Sequence, residues 1–135
     1  MVRSLVAVAS GFVIIALLSF GTDLALRAAM PQLYEADGST TSVTALVLSI
    51  GYVGLYATLG CYLAARLAPR QPMTHALVLG GLGLLFNIVG TVSTWAMAPV
   101  WYHVVSLALV MLWAWIGGRM REQELMSASS RSVTA

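Results

Sequence analysis

The sequence contains few charged residues, one cysteine and no lysine. Of its 135 residues, 7 are basic and 5 are acidic, so 9% are charged, whereas soluble domains carry about 25%. Hydrophobic residues make up 59%, and the mean hydropathy is +0.87. A small soluble domain could not bury so much apolar surface, and disordered chains are polar and charged. The composition therefore excludes both classes and indicates a membrane protein.

Residues that would carry chemistry are also scarce. A single cysteine, Cys61, excludes an intramolecular disulfide and a thiolate zinc site. The sequence lacks a His-x-x-x-His pair, an acidic metal-binding cluster and a Gly-x-Ser-x-Gly motif. We therefore expect no metal, no cofactor and no enzymatic activity, with an intramembrane enzyme as the remote alternative.

Four apolar runs are long enough to cross a bilayer, which takes about 20 helical residues. They cover about 5–26, 43–65, 74–95 and 100–118. Each must be a helix, because lipid offers backbone groups no hydrogen-bond partner. The predicted fold is all-α, an integral membrane four-helix bundle that forms a single domain over 1–126. The Ser- and Ala-rich tail, 127–135, is predicted to be disordered.

The arginines predict the orientation of the bundle. If the N-terminus is cytoplasmic, six arginines lie on the cytoplasmic side and one, Arg27, lies outside, as the positive-inside rule requires. The six are Arg3, Arg66, Arg70, Arg119, Arg121 and Arg131. We therefore expect a multi-pass protein of the bacterial inner (plasma) membrane with both termini in the cytoplasm.

Small residues form one narrow stripe on each of the two middle spans. The stripes are Gly51, Gly54, Thr58, Cys61 and Ala65 on the second span, and Ala76, Gly80, Gly83, Asn87, Gly90 or Thr91, and Thr94 on the third. Small residues let membrane helices approach closely. The spacing predicts that both stripes face inward and meet each other; ordinary helix packing and a substrate groove are both consistent with that.

Four polar residues are predicted near the outer face: Asp23, Arg27, Asn87 and His103. Asp23 and Arg27 have the i,i+4 spacing of an intrahelical ion pair, and we expect Asp23 to contact His103. An ionisable residue in a span suggests function, and a carboxylate beside a histidine could relay protons or bind a cation. The alternatives are an interfacial Asp–Arg pair with an unrelated histidine, and an Asn87 that only joins helices.

A second group of polar residues lies at the predicted cytoplasmic boundary. Arg66, Arg70 and His75 surround the turn between the second and third spans. They could contact an anionic lipid headgroup.

Several stretches resemble small bacterial four-helix inner-membrane proteins. They are Gly11 to Asp23, Gly60 to Pro69, Pro72 to Gly80, Trp101-Tyr102-His103 and Ala114 to Arg119. The resemblance implies a multi-pass inner-membrane protein and no particular activity. The size and plan are also similar to those of small multidrug exporters, but their first helix carries a glutamate, and the first span here has none.

The sequence thus favours a non-enzymatic membrane protein that acts through helix–helix or lipid contacts, for example as an accessory subunit. The alternative is a small dimeric transporter of a polar or cationic small molecule, with its site near the outer membrane face. The expected partners are the lipid bilayer and either a second copy or another membrane protein. Nucleic acid is not expected, since the arginines already account for the topology.

Overall fold

A computed structural model describes residues 2–133, with the side chains of 3–130. The described chain contains four long helices: α1 (Val2–Ala29), α2 (Val43–Leu67), α3 (Pro72–Ser93) and α4 (Val100–Val133). Short 3₁₀ turns, Pro31–Leu33 and Trp95–Met97, lie in the connections that follow α1 and α3. All 4 helices are long and apolar enough to cross a membrane, which confirms the all-helical, four-span prediction at that level.

Local sequence explains where the helices begin. The Ser42 hydroxyl accepts a hydrogen bond from the backbone N–H of Ala45 and caps α2. Pro72 occupies the first turn of α3, where a missing N–H costs nothing. The preceding residue, Gln71, has a left-handed backbone with φ of 51°, which makes the turn after α2 sharp.

The first three helices begin and end within three residues of their predicted spans, but α4 does not stop at 118. It continues to Val133, so residues 127–133 are helical where a disordered tail was predicted. Residues 134 and 135 lie outside the described part of the chain. Ion pairs one turn apart, Arg119 with Glu122 and Arg121 with Glu124, support this extension.

Large apolar side chains point out of the bundle rather than into it. Leu5 is 71% exposed and Val92 is 74% exposed, while Leu79 is the one large side chain below 2% among those described. Large exposed apolar surfaces mark contact with lipid or with another protein. The exposed faces therefore fit lipid contact.

The bundle has two distinct ends. We call the end that carries the connections 30–42 and 94–99 the loop end, and the end that carries the N-terminus, the 68–71 turn and the last part of α4 the terminal end. The terminal end is closely packed around a buried cluster of mostly small residues. The cluster contains Cys61, Ala64, Ala65, Ala76, Leu79 and Ala114.

Glycines make this close packing feasible. A Cβ atom placed on Gly11 would lie 2.6 Å from the carbonyl oxygen of Gly60, so α1 and α2 cross with almost no side chain between them. A Cβ atom on Gly117 would lie 2.5 Å from the carbonyl oxygen of Thr58, so α4 approaches α2 equally closely.

The two small-residue stripes meet beside the turn between α2 and α3, but over the rest of their length they face α4. Gly54 packs against the Trp113 ring, and Gly80 packs against the Cβ atom of Ala114, so both stripes face α4. They share a cluster only near the turn, where Cys61 and Ala76 are buried together. Spacing identifies the small face of a helix, but it does not show that α4 is the neighbour that most of this face contacts.

Candidate functional site

The helices enclose a cavity of about 400 Å³ at the loop end, which we call the loop-end cavity. Its volume falls within the range of about 300–1,000 Å³ that is typical of small-molecule sites. All four residues of the predicted polar cluster line it: Asp23, Arg27, Asn87 and His103. The structure therefore brings the four residues around one space, and their contacts there differ from the predicted pairings.

The cavity is polar near the loops and apolar at its floor. Its floor is lined by Val53, Leu109, Val110 and Trp113. His103 and Trp113 are both on α4 and about 15 Å apart, at about 1.5 Å per residue. Because the hydrocarbon core is about 30 Å thick, the cavity extends roughly halfway through the bundle.

Asp23 is held by a residue of the neighbouring helix. The Tyr52 hydroxyl donates a hydrogen bond to Oδ1 of Asp23. One turn further along α2, the hydroxyl of Tyr56 lies 3.0 Å from that of Thr22. The sequence indicates that the two tyrosines share a face, but it gives no register between α1 and α2, so this partner was missed.

Arg27 does not form the predicted ion pair with Asp23. Its Nη1 donates to the carbonyl oxygen of Gly38 at 3.1 Å, and its guanidinium lies 5.0 Å from the centre of the Tyr34 ring. Gly38 has a φ of 83°, which suits glycine and turns the chain back over α1. The loop therefore supplies a carbonyl and an aromatic face, and Arg27 binds these instead of the carboxylate.

His103 does not contact Asp23 through a hydrogen bond or an ion pair anywhere in the described structure. Its ring stacks on Trp95, with centroids 5.1 Å apart, and its Nε2 lies 3.3 Å from the Trp95 carbonyl oxygen. His103 is only 3% exposed. The expected Asp23–His103 contact is therefore not formed, because the 3₁₀ turn after α3 orients the histidine.

Asn87 bonds within its own helix. Its Oδ1 accepts a hydrogen bond of 3.4 Å from Thr91, one turn further along α3. No hydrogen bond joins Asn87 to another helix within residues 2–133, so its predicted role in joining helices is not observed. Its amide nitrogen has no protein acceptor there either, which leaves its two N–H donors available to an occupant of the cavity.

The long loop is fastened across the loop end. The buried Thr40 hydroxyl donates a hydrogen bond to the Leu33 carbonyl oxygen at 2.6 Å. The Thr40 backbone N–H donates one to the Met97 carbonyl oxygen at 2.9 Å. Asp37 accepts hydrogen bonds from the hydroxyl and the backbone N–H of Ser39, and these bonds lower the pKa of the Asp37 carboxyl. The loop thus forms an ordered rim that contributes Tyr34, Gly38 and Thr40 to the cavity wall.

At the terminal end, the three predicted headgroup residues share no hydrogen-bond partner within the described part of the chain. Arg66 donates to the Tyr62 hydroxyl at 3.2 Å, and that hydroxyl donates to Glu124 at 2.6 Å. Nδ1 of His75 lies 3.1 Å from the Gln71 carbonyl oxygen. Arg70 forms no hydrogen bond or ion pair within the described residues. The link from α2 to α4 through Tyr62 and Glu124 has no sequence signal, because 62 residues separate its ends.

The described part of the chain contains no group of three or more His, Cys, Asp or Glu side chains that could hold a metal ion. Comparisons with protein-family models, with curated proteins and with solved structures gave no match, so the geometry of the loop-end cavity is the basis for assigning a function.

Proposed function

We propose that this protein is a multi-pass protein of a bacterial inner membrane that binds a polar or charged small molecule in the loop-end cavity and carries it across the membrane. The observation that supports this function most is the cavity itself, which lies between four span-like helices and extends to Asn87. A bundle with only a structural role would gain by closing that space, since cavities lose packing contacts. The terminal end is closed in this way, but the loop end is not.

The placement of polar groups supports the same function. Asp23, Asn87 and His103 lie on three different helices and line one space. Polar side chains in a bilayer are costly, and in transporters they commonly mark substrate pathways. With the termini in the cytoplasm, the cavity opens toward the outside, and the closed terminal end blocks passage to the other side. The structure then corresponds to the outward-facing state of an alternating-access cycle.

Uptake into proteoliposomes tests this proposal. The purified protein is assayed with radiolabelled choline, L-phenylalanine and glucose, which cover a cation, a zwitterion and a neutral polar molecule. Ala57→Trp fills the cavity, because Ala57 lines it. Ala16→Trp is the matched control, because Ala16 is exposed on the outside of α1.

We expect uptake of at least one compound by the native protein and by Ala16→Trp, and its loss in Ala57→Trp. Uptake no greater than that of empty liposomes would contradict the proposal. Equal uptake by the two tryptophan variants would contradict it as well, because the compound would then not pass through the cavity.

A second candidate function, an accessory role through helix–helix contacts, rests on a groove along the outside of α1. The groove contains Gly21, Ala25 and Ala29 at intervals of one turn, and a Cβ atom on Gly21 would meet nothing within 4 Å. Small residues at this spacing allow close approach of another membrane helix, from a second copy or from another protein. Disulfide cross-linking of Gly21→Cys in a Cys61→Ala background, with Val13→Cys as the exposed control on α1, would detect a second copy there.

A further inference from the structure

Two opposite charges line the loop-end cavity without neutralising each other. Asp23 and Arg27 are one turn apart on α1, and both line the cavity. The ion pairs among the described side chains are both on α4, between Arg119 and Glu122 and between Arg121 and Glu124. Asp23 is instead bonded to a neutral hydroxyl and Arg27 to a neutral carbonyl.

Each of these charged groups keeps unused hydrogen-bonding capacity. A carboxylate has two acceptor oxygens and a guanidinium has five N–H donors. Within the described structure, only Oδ1 of Asp23 accepts a hydrogen bond, from Tyr52, and only Nη1 of Arg27 donates one, to Gly38. Charges near the hydrocarbon boundary are stabilised by opposite charges. A molecule that carries both signs would satisfy the two groups at once.

The separation of the two charges fits such a molecule. The two residues are about 5.4 Å apart along the helix axis, and the Arg27 guanidinium contacts Gly38 and Tyr34 in the loop rather than the Asp23 carboxylate. A ligand with one charge only would satisfy one of the two groups and would be repelled by the other. The floor beyond them, with Val53, Leu109 and Trp113, is apolar and suits an uncharged body rather than a third charge.

We propose that the loop-end cavity binds a zwitterion with an apolar body, with its ammonium group on Asp23 and its anionic group on Arg27. This inference rests on the proposed function and specifies its ligand class. A free amino acid with an apolar side chain and a zwitterionic lipid headgroup share this chemistry. The free donors of Asn87 provide a further polar contact between the charges and the floor.

Equilibrium binding to the full-length protein in nanodiscs tests the inference with three probes of similar size. L-phenylalanine has both charges, phenethylamine lacks the carboxylate and 3-phenylpropionate lacks the ammonium group. The same titrations in phosphatidylglycerol nanodiscs with and without phosphatidylethanolamine distinguish the two sources. If the lipid occupies the cavity, phosphatidylethanolamine will weaken the binding of L-phenylalanine; if the ligand is a free amino acid, it will have no effect.

We expect L-phenylalanine to bind at least about tenfold more tightly than either singly charged probe, because hydrogen bonds between charged groups are the stronger ones. Asp23→Asn and Arg27→Gln should each remove that preference, and Arg27→Lys should retain part of it. Glu35→Gln is the control, since Glu35 is an exposed acidic residue of the same loop end that does not line the cavity.

The inference fails if phenethylamine or 3-phenylpropionate binds as tightly as L-phenylalanine, if none of the probes binds, or if Asp23→Asn and Arg27→Gln bind like Glu35→Gln. Circular dichroism and gel filtration of each variant establish that a loss of binding is not a loss of fold. Choline or glucose uptake that Ala57→Trp abolishes would preserve the proposed function even if this inference failed. Absence of all uptake would remove the function itself.

Discussion

The substitution Gly60→Ala tests the close crossing of α1 and α2. The new Cβ atom would overlap with Cγ1 of Ile15 and would lie 2.9 Å from the carbonyl oxygen of Gly11. The Ile15 side chain can rotate away, but the Gly11 carbonyl belongs to the backbone, so the two helices must separate. Overpacking of this kind typically costs about 1–3 kcal/mol. Gly51→Ala is the matched control on α2, because a Cβ atom on Gly51 meets nothing within 4 Å.

The control isolates the packing cost, because alanine is a better helix former than glycine by about 1 kcal/mol at both positions. We therefore expect Gly60→Ala to be less stable than Gly51→Ala by about 1–3 kcal/mol. The assay is the free energy of unfolding of each variant in detergent micelles or bicelles, measured under reversible conditions. Equal stabilities of the two variants would refute the close backbone crossing.

Three further predictions concern the loop and the core. Thr40→Val removes the hydroxyl that bonds to Leu33 and should destabilise the 30–42 connection by about 1–3 kcal/mol. Hydrogen exchange of these amides should therefore speed up, whereas the exposed Thr41→Val should leave it unchanged. The Asp37 carboxyl has a lowered pKa because Ser39 donates to it, so its contribution to loop stability is present above the ordinary carboxyl pKa and is lost as the pH falls through the lowered value. An NMR titration of Asp37 should show its pKa rising in Ser39→Ala, and an unchanged pKa would exclude Ser39 as the cause. Cys61 is 2% exposed and should react with maleimide only after unfolding; rapid reaction in the native state would contradict its burial.

The helices were predictable from the sequence because their signals are local. Apolar runs of about 20 residues, bounded by arginines and by Pro99, predict the four spans, and Ser42 and Pro72 mark where α2 and α3 begin. The extension of α4 was missed because Ser- and Ala-rich sequence looks like a flexible tail. Ion pairs such as Arg121 with Glu124 support the extension, but the same arginines are also the signals of membrane topology.

The candidate site was predictable in membership but not in geometry. Depth along each span placed Asp23, Arg27, Asn87 and His103 in the outer half of the membrane, and in the structure all four line one cavity. Their partners depend on the register and rotation of the helices and on the path of the 30–42 connection. None of these is encoded in spacing along a single helix. Hence Tyr52 was missed as the partner of Asp23, and Gly38 as that of Arg27.

The most direct test of the account is whether Asn87 can be reached by water from the loop end of the membrane-embedded protein. The measurement is modification of Asn87→Cys, in a Cys61→Ala background, by a membrane-impermeant methanethiosulfonate applied to either face of sealed vesicles. Ala64→Cys is the control, because Ala64 is buried at 0% exposure. We expect Asn87→Cys to react from the face opposite the termini and Ala64→Cys to react from neither face. An unreactive Asn87→Cys, or one that reacts only from the side of the termini, would contradict an outward-open loop-end cavity.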